Sequence, residues 1–497
     1  MKRFSIKACA LVALLLVALL LLLAACGNRD DEDEYVPYVP DAPEQAQEQE
    51  PTPDTDDDVT PEPSPEPVLG RRNVHEIRDF GGRTLITARH IPFGAYLDEP
   101  DPATSYNYAL DRMVWDNARG LEQDFNFVTE RAYFADYDLT PILTASVMAG
   151  DPMAHMFSMS AGMWFPSAMN GLIHAIDTID LPGSDILGPQ IFGEMRGYAL
   201  GHYWLTGTTE PNHDGHTLGI NQDIIRAIGA PNPIDLYNNG QWTWEAMLDI
   251  MRLATRDTTG DGVLDQWGLA GQPGDIVVNL IVGSNDGVLV DDNFQYALDH
   301  PNTLEALEFA DTIFREGLWQ FCQETGPHGG WPVNFWAHME GRSAFFVSHT
   351  WNLGGGDMPF EFNVVPFPTG PSNTSGNTWL GNDRWGPAFA VASPWEPAEL
   401  LIIVDELFNW TDDLELMHAQ GYSFSRNVFH SEDDVQRQVS VARTMNRDVG
   451  MIVPEFAWVF GTFVYHMIDQ DMTIMQMIET YRPQQQEMLD FFIAGSN

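Results

Sequence analysis

The hydrophobic pattern divides the chain into three regimes. Ala8 to Leu23 is almost wholly apolar and follows a cationic start at Lys2, Arg3 and Lys7. From Asn28 to Gly70 the pattern inverts to acids and recurring prolines, as in Thr-Pro-Glu-Pro-Ser-Pro-Glu-Pro at 60–67. Beyond that, runs with period 2 and period 3.6 alternate. Thr84 to Ala88, after Gly81-Gly82, predicts a first strand. Tyr108 to Phe125 predicts a helix, and Phe127-Val128 a second strand. Leu139 to Ala149 is helical up to Gly150-Asp151-Pro152, and Met156 to Met159 predicts a short buried strand. Strands alternating with helices indicate parallel α/β units.

The same reading extends along the chain. Thr217 to Asn221 predicts a strand feeding the helix Gln222 to Ile228, which Gly229 closes. Trp244-Glu245 opens another helix with Thr243 as N-cap and the acid near the positive dipole end. Leu304, Leu307, Ala310, Ile313 and Phe314 fall on one side of a helix over Thr303 to Glu316. Ala344 to Val347 and Phe362 to Pro366 predict buried strands, and 400–416 and 473–494 helices.

The first regime has the order of a secretory signal: cationic start, apolar run, small residues before a cleavage point. An uncleaved spanning helix is the other reading, since about 17 apolar residues suffice to cross a bilayer. Leu23-Ala24-Ala25-Cys26 resembles the bacterial lipobox, which implies a signal peptide over 1–25 and a lipid on Cys26. One acyl chain holds a membrane only marginally, so stable anchoring needs several. Residues 26–74 then form an acidic, Pro-rich disordered spacer, too poor in apolar surface to offset its ordering entropy.

Of the chain's net charge of −48, the signal holds +3 and the acidic stretch 28–70 holds −14, which leaves −37 on the body from Arg71 onward. That argues against nucleic acid as a partner and against an anionic ligand steered by the net field. Cys9, Cys26 and Cys322 are the only cysteines; Cys322 has no intrachain partner once the signal and the lipid take the others, and reads as a buried inert thiol. About 427 residues of body exceed one compact core, so two lobes are expected.

Several segments, in order, resemble the maltose-binding-like extracellular solute-binding proteins of ABC importers, family 1. They are Thr144 to Met156 with its Gly-Asp-Pro turn, Trp164-Phe165-Pro166-Ser167, Gly171 to Asp177 and Gly219-Ile220-Asn221-Gln222-Asp223. Trp242-Thr243-Trp244-Glu245, Asp257 to Gly268 and Met339 to Phe346 complete the set. His155, Ile220 and Gln222 depart from the family pattern. The resemblance implies an α/β, periplasmic-binding-protein-like fold of two hinge-linked lobes, each a central sheet flanked by helices. It places crossings near 202–216, 346–350 and 393–397, with lobe one as 75–205 plus 348–394 and lobe two as 206–347 plus 395–497. It implies a monomer that captures a solute, a sugar or oligosaccharide first among the candidates, and passes it to ABC permease subunits at the extracellular face of the cell membrane.

A neutral sugar calls for an aromatic plate ringed by carboxylate, amide and guanidinium groups. Trp164, Trp351 and the tract Asn382-Asp383-Arg384-Trp385 offer these groups beside predicted strands and are the candidate ligand residues. For each Trp, core packing is the competing reading. Trp242 and Trp244 are assigned to packing at a helix start. Asp257, Asp261 and Asp265 have EF-hand-like spacing with Gly262 at the turn, but Gly268 stands where the bidentate acid belongs. A structural calcium and a plain acidic turn both stand; no other cofactor is required. No catalytic motif is found. A surface-anchored polysaccharide hydrolase and a non-catalytic scaffold remain as alternatives to a non-enzymatic receptor.

Overall fold

The computed structural model describes the chain from His75 to Ala494 except residues 89–97, 104, 106, 133–138, 160, 181–195, 207–215, 292, 321–339, 350–357, 382–385, 414, 418, 421–425, 427, 430, 452 and 454–455. The elements begin β1 (Arg83–Ala88), α1 (Tyr108–Phe125), β2 (Phe127–Ala132), α2 (Leu139–Met148), β3 (Met156–Met159) and α3 (Ala161–Met169). Next come β4 (Arg196–Ala199), β5 (His202–Leu205), β6 (His216–Asn221), α4 (Gln222–Ile228), α5 (Pro233–Asn238), α6 (Trp244–Ala254) and β7 (Trp267–Ala270). A π-helical segment (Asp275–Val282), α7 (Pro301–Arg315), β8 (Ser343–His349), β9 (Phe362–Val365), β10 (Trp379–Gly381) and β11 (Gly386–Phe389) follow. The chain closes with α8 (Pro397–Phe408), α9 (Glu432–Arg443), β12 (Met445–Arg447), α10 (Phe456–Asp469) and α11 (Ile474–Ala494).

Two four-stranded sheets organise these elements. The first has the order β11-β3-β1-β2, with β1, β2 and β3 parallel and β11 antiparallel to β3. The second has the order β7-β8-β6-β9, with β7 parallel to β8 and β6 antiparallel to both its neighbours. A β4–β5 ribbon and a parallel β10–β12 pair stand outside them.

Local chemistry explains the helix boundaries. The Asn221 side chain caps α4 by accepting the Asp223 and Ile224 N–H groups, and Gly229 ends that helix at φ 68°. Thr243 caps α6 through the Ala246 N–H. The Trp244 ring stacks on Phe309 at 4.3 Å, and the Trp242 indole N–H donates to the Pro366 carbonyl, so both tryptophans pack as the sequence indicates. At Gly219 a Cβ would fall 2.1 Å from the Phe346 ring across the β6–β8 pair; only glycine lets that ring lie flat on the sheet. Nδ1 of His155 accepts the Ile86 N–H at 3.0 Å and joins β1 to the start of β3. Burial lowers its pKa, so this residue works as a neutral acceptor.

Strand pairing redraws the lobe boundaries expected from sequence. After β8 the chain returns to the second sheet as β9, so 348–381 does not belong to lobe one. Trp395, expected in lobe two, packs with Phe80 and Phe127 and donates its indole N–H to the Thr84 carbonyl. Helix α8 covers α1, where Leu400, Ile403 and Leu407 share a core with Leu110, Val114 and Leu121. Lobe one is therefore built from His75 to Thr206 and from Gly386 to Gln420. Lobe two takes His216 to Gly381 and Val428 onward, with Val428, Phe429 and Val435 against Phe346 and Phe362. The described residues change from one lobe to the other between Thr206 and His216, between Gly381 and Gly386, and between Gln420 and Val428. The short apolar strands at 345–347 and 388–391 look alike in sequence, and only their partners tell which sheet each completes.

Candidate functional site

The functional edge of each sheet follows from strand direction. In the first sheet Ala88 pairs with Ala132 and Phe157, and Gly386 with Met159, so three carboxyl ends and the start of β11 share one edge. In the second, His216 pairs with His349, and the carboxyl ends of β7, β8 and β9 lie on the same side as the start of β6. Open α/β sheets bind ligands outside the carboxyl ends of their strands. The Thr206 N–H donates to the Pro387 carbonyl on β11, and Gly381 ends β10 shortly before Gly386 opens β11.

The tract Asn382-Asp383-Arg384-Trp385 stands in the sequence between β10 and β11. These four residues lie outside the described residues, as do Trp351 and Cys26. Trp164 is described, and it corrects an expectation. It sits inside α3, only 1 % exposed, edge-on to Phe165. The β4–β5 ribbon covers its ring: Gly197, at φ 68°, approaches so closely that a Cβ would stand 3.1 Å from the indole. Trp164 is core rather than an open plate, because the ribbon supplies the surface that a ligand was expected to supply. Its indole N–H meets no acceptor among the described residues.

Lobe two just before the 382–385 tract is held by residues the sequence reading missed. The Asn279 side chain, from the π-helical segment, donates to the Leu380 carbonyl at 3.0 Å. The Trp379 indole donates to Val441, and the His216 ring lies against it at 6.0 Å. Asp286, in the left-handed region at φ 52°, accepts the N–H and hydroxyl of both Thr374 and Ser375, in the loop leading to β10. Burial alone would raise its pKa, but those donors and Asn446 hold it down at about 2. The N–H of Asp448 donates to the Gly381 carbonyl at 3.3 Å. The Asp448 carboxylate accepts from the N–H groups of Leu289 (2.8 Å), Val290 (3.4 Å) and Gly450 (2.7 Å). Here burial wins, and its pKa rises to about 6. The Asn-Asp-Gly turn at 285–287 was a readable signal for Asp286; a lone Asp in a polar tract gave none for Asp448.

The acidic loop is satisfied from within. Asp257 accepts the N–H groups of Thr259, Gly260 and Gly262 across both its oxygens, and these bonds lower its pKa. Asp265 accepts the N–H and hydroxyl of Thr258, and Asp261 the N–H of Val263. Among the described residues no group of three or more His, Cys, Asp or Glu is placed to hold a metal ion.

Neither a protein-family profile nor any curated protein matches the chain. Solved structures do. An ABC substrate-binding protein from Listeria monocytogenes, in complex with cycloalternan, superposes with a TM-score of 0.56 at 13 % identity over 82 % of this chain and 99 % of its own. The MalE maltodextrin-binding domain from Bdellovibrio bacteriovorus, bound to maltotriose, gives 0.52 at 13 % over 83 % and 100 %. UgpB from Mycobacterium tuberculosis, in complex with glycerophosphocholine, gives 0.56 at 13 % over 82 % and 99 %. The fold is the two-lobed, periplasmic-binding-protein-like fold of ABC substrate-binding proteins.

Proposed function

We propose that the chain is a non-enzymatic solute-binding protein of an ABC importer, lipid-anchored through Cys26 on the extracellular side. It captures a saccharide between its lobes and presents it to a permease. What supports the reading is the sequence: Asn-Asp-Arg-Trp falls between β10 and β11, just before the strand whose start shares an edge with the carboxyl end of β3. An aromatic ring, an amide, a carboxylate and a guanidinium at a hinge are the groups a polyol needs, and they would be engaged as the lobes close. The net charge of the body favours a neutral solute over an anionic one.

A thermal-shift screen with mono- and oligosaccharides tests the reading, with glycerophosphocholine as the non-sugar arm. A saccharide at about 100 times its Kd should stabilise by about 2.7 kcal/mol. A shift with another solute class and none with any saccharide defeats the sugar assignment. Released sugar would instead indicate hydrolysis. For the anchor, Cys26→Ser should abolish incorporation of a labelled fatty acid; incorporation that persists refutes it.

A further inference from the structure

His155 occupies a joint that the solute-binding reading leaves unused. Strands β1 and β3 pair over only two registered positions, Thr87 with Met156 and Ala88 with Phe157. Before them the ladder is carried on by one residue. The His155 N–H donates to the Ile86 carbonyl at 2.8 Å, and Nδ1 of its ring accepts the Ile86 N–H at 3.0 Å, so the imidazole stands where a strand carbonyl would. The His155 carbonyl in turn accepts the N–H of Ala390, the residue after β11, at 3.0 Å. One buried residue thus ties together three of the four strands of the first sheet.

We propose that His155 is an acid-released joint of lobe one: the neutral ring keeps β1, β3 and β11 in register, and the protonated ring frees the seam between β1 and β3. The geometry sets the direction. A ring that accepts at Nδ1 carries its single proton on Nε2. Protonation turns Nδ1 into a donor that faces the Ile86 N–H, so the ring must swing away and leave that N–H without its partner. Linkage has the same sign. Burial holds the ring's pKa below its ordinary value of 6.5; Asp151 in the preceding turn opposes this, and Arg83 on β1 adds to it. The joint is therefore complete above about pH 6.5 and weakens as pH falls below it. Helices α2 and α3 and strand β11 carry no acidic or basic side chain. Glu130, level with Ile86 on β2, is exposed, and His174, whose N–H donates to Phe389, is governed by its own burial and by Glu396. As a regulator of the solute site the joint rests on the reading above, but its test uses no solute, so the two fail separately.

The experiment is hydrogen exchange of the full, unliganded chain at pH 7.5 and pH 5.5, corrected for intrinsic rates. Protection of peptides covering 84–88 and 155–158 should fall severalfold at the lower pH. The ceiling is about tenfold, for a ring that titrates at 6.5 in the opened seam and stays neutral in the closed one. Peptides of the second sheet, covering 218–220 and 344–347, should not change. His155→Asn places a non-titrating oxygen acceptor where Nδ1 stands and should abolish the difference, whereas His174→Asn should keep it. Equal protection at both pH values overturns the proposal, as does an equal fall in both sheets. So does a fall that persists in His155→Asn or vanishes in His174→Asn. Where His155→Asn fails to fold, the unmutated chain and His174→Asn decide.

Discussion

Nε2 of His75 lies 2.6 Å from Oδ2 of Asp405, with both side chains almost wholly enclosed. The backbone N–H of His75 also donates to Glu406, and Asn409 donates to the other Asp405 oxygen. The first described residue of the body is thus clasped to α8, which arrives more than three hundred positions later. His75→Ala would remove the imidazole partner of buried Asp405, while Glu406 keeps the backbone N–H. We expect a loss of about 3 kcal/mol, read as a lower urea midpoint at unchanged slope. A loss below about 0.5 kcal/mol would mean that the clasp carries little.

The β9 edge of the second sheet is covered by one helix. Asp434 on α9 accepts the Val364 N–H at 3.0 Å, and Arg437 donates to the Val364 carbonyl at 2.8 Å, so side chains take the place of a neighbouring strand. Asp434→Ala should destabilise by about 2 kcal/mol and open β9 to strand addition. Concentration-dependent light scattering checks this; a stable monomer at high concentration contradicts it.

Gly197 tests the placement of Trp164. Alanine there combines an unfavourable positive φ with a Cβ 3.1 Å from the indole. A drop of about 1–3 kcal/mol is expected, together with a shift in tryptophan emission. Unchanged melting and emission would put the ribbon somewhere other than over the ring.

Stability should respond to pH with two opposite signs. Asp286 and Asp434 have lowered pKa values, so their contribution is complete above the ordinary carboxylate range and is lost as pH falls, through about 2 for Asp286. Asp448 has a raised pKa, so its contribution is complete below about 3.8 and is lost as pH rises through about 6. Asp448→Asn should therefore gain on the unmutated chain between about pH 5 and 7.5, by on the order of 1–3 kcal/mol. Parallel urea curves at both pH values would contradict this.

Millimolar calcium should leave the melting temperature unchanged, because the oxygens of Asp257 already accept three backbone N–H groups. A rise on adding calcium, reversed by a chelator, would show that the loop reopens around the ion.

Much of the architecture was legible in the chain. Helix α1 spans Tyr108–Phe125 as its spacing implies, and Asn221, Gly229 and Thr243 mark the helix ends in the structure as they do in the sequence. Local periodicity and capping chemistry are written in neighbouring residues. The assignment of strands to sheets was not, since Phe362–Val365 and Gly386–Phe389 are both short, apolar and buried. The site was half legible. The chemistry of 382–385 stood out in the sequence, but these residues lie outside the described ones. Trp164 misled because a tryptophan beside a strand end reads the same whether a ligand or a glycine backbone covers it.

The interleaving of the lobes has a kinetic consequence. The first sheet lacks its edge until β11 appears, more than two hundred residues after β3 with which it pairs, and α1 stays uncovered until α8 has been made. Neither lobe can be finished from a nascent N-terminal fragment, and closing loops this long is slow. The chain should therefore stay unfolded through most of its synthesis, the condition in which a polypeptide can still be threaded through a membrane channel.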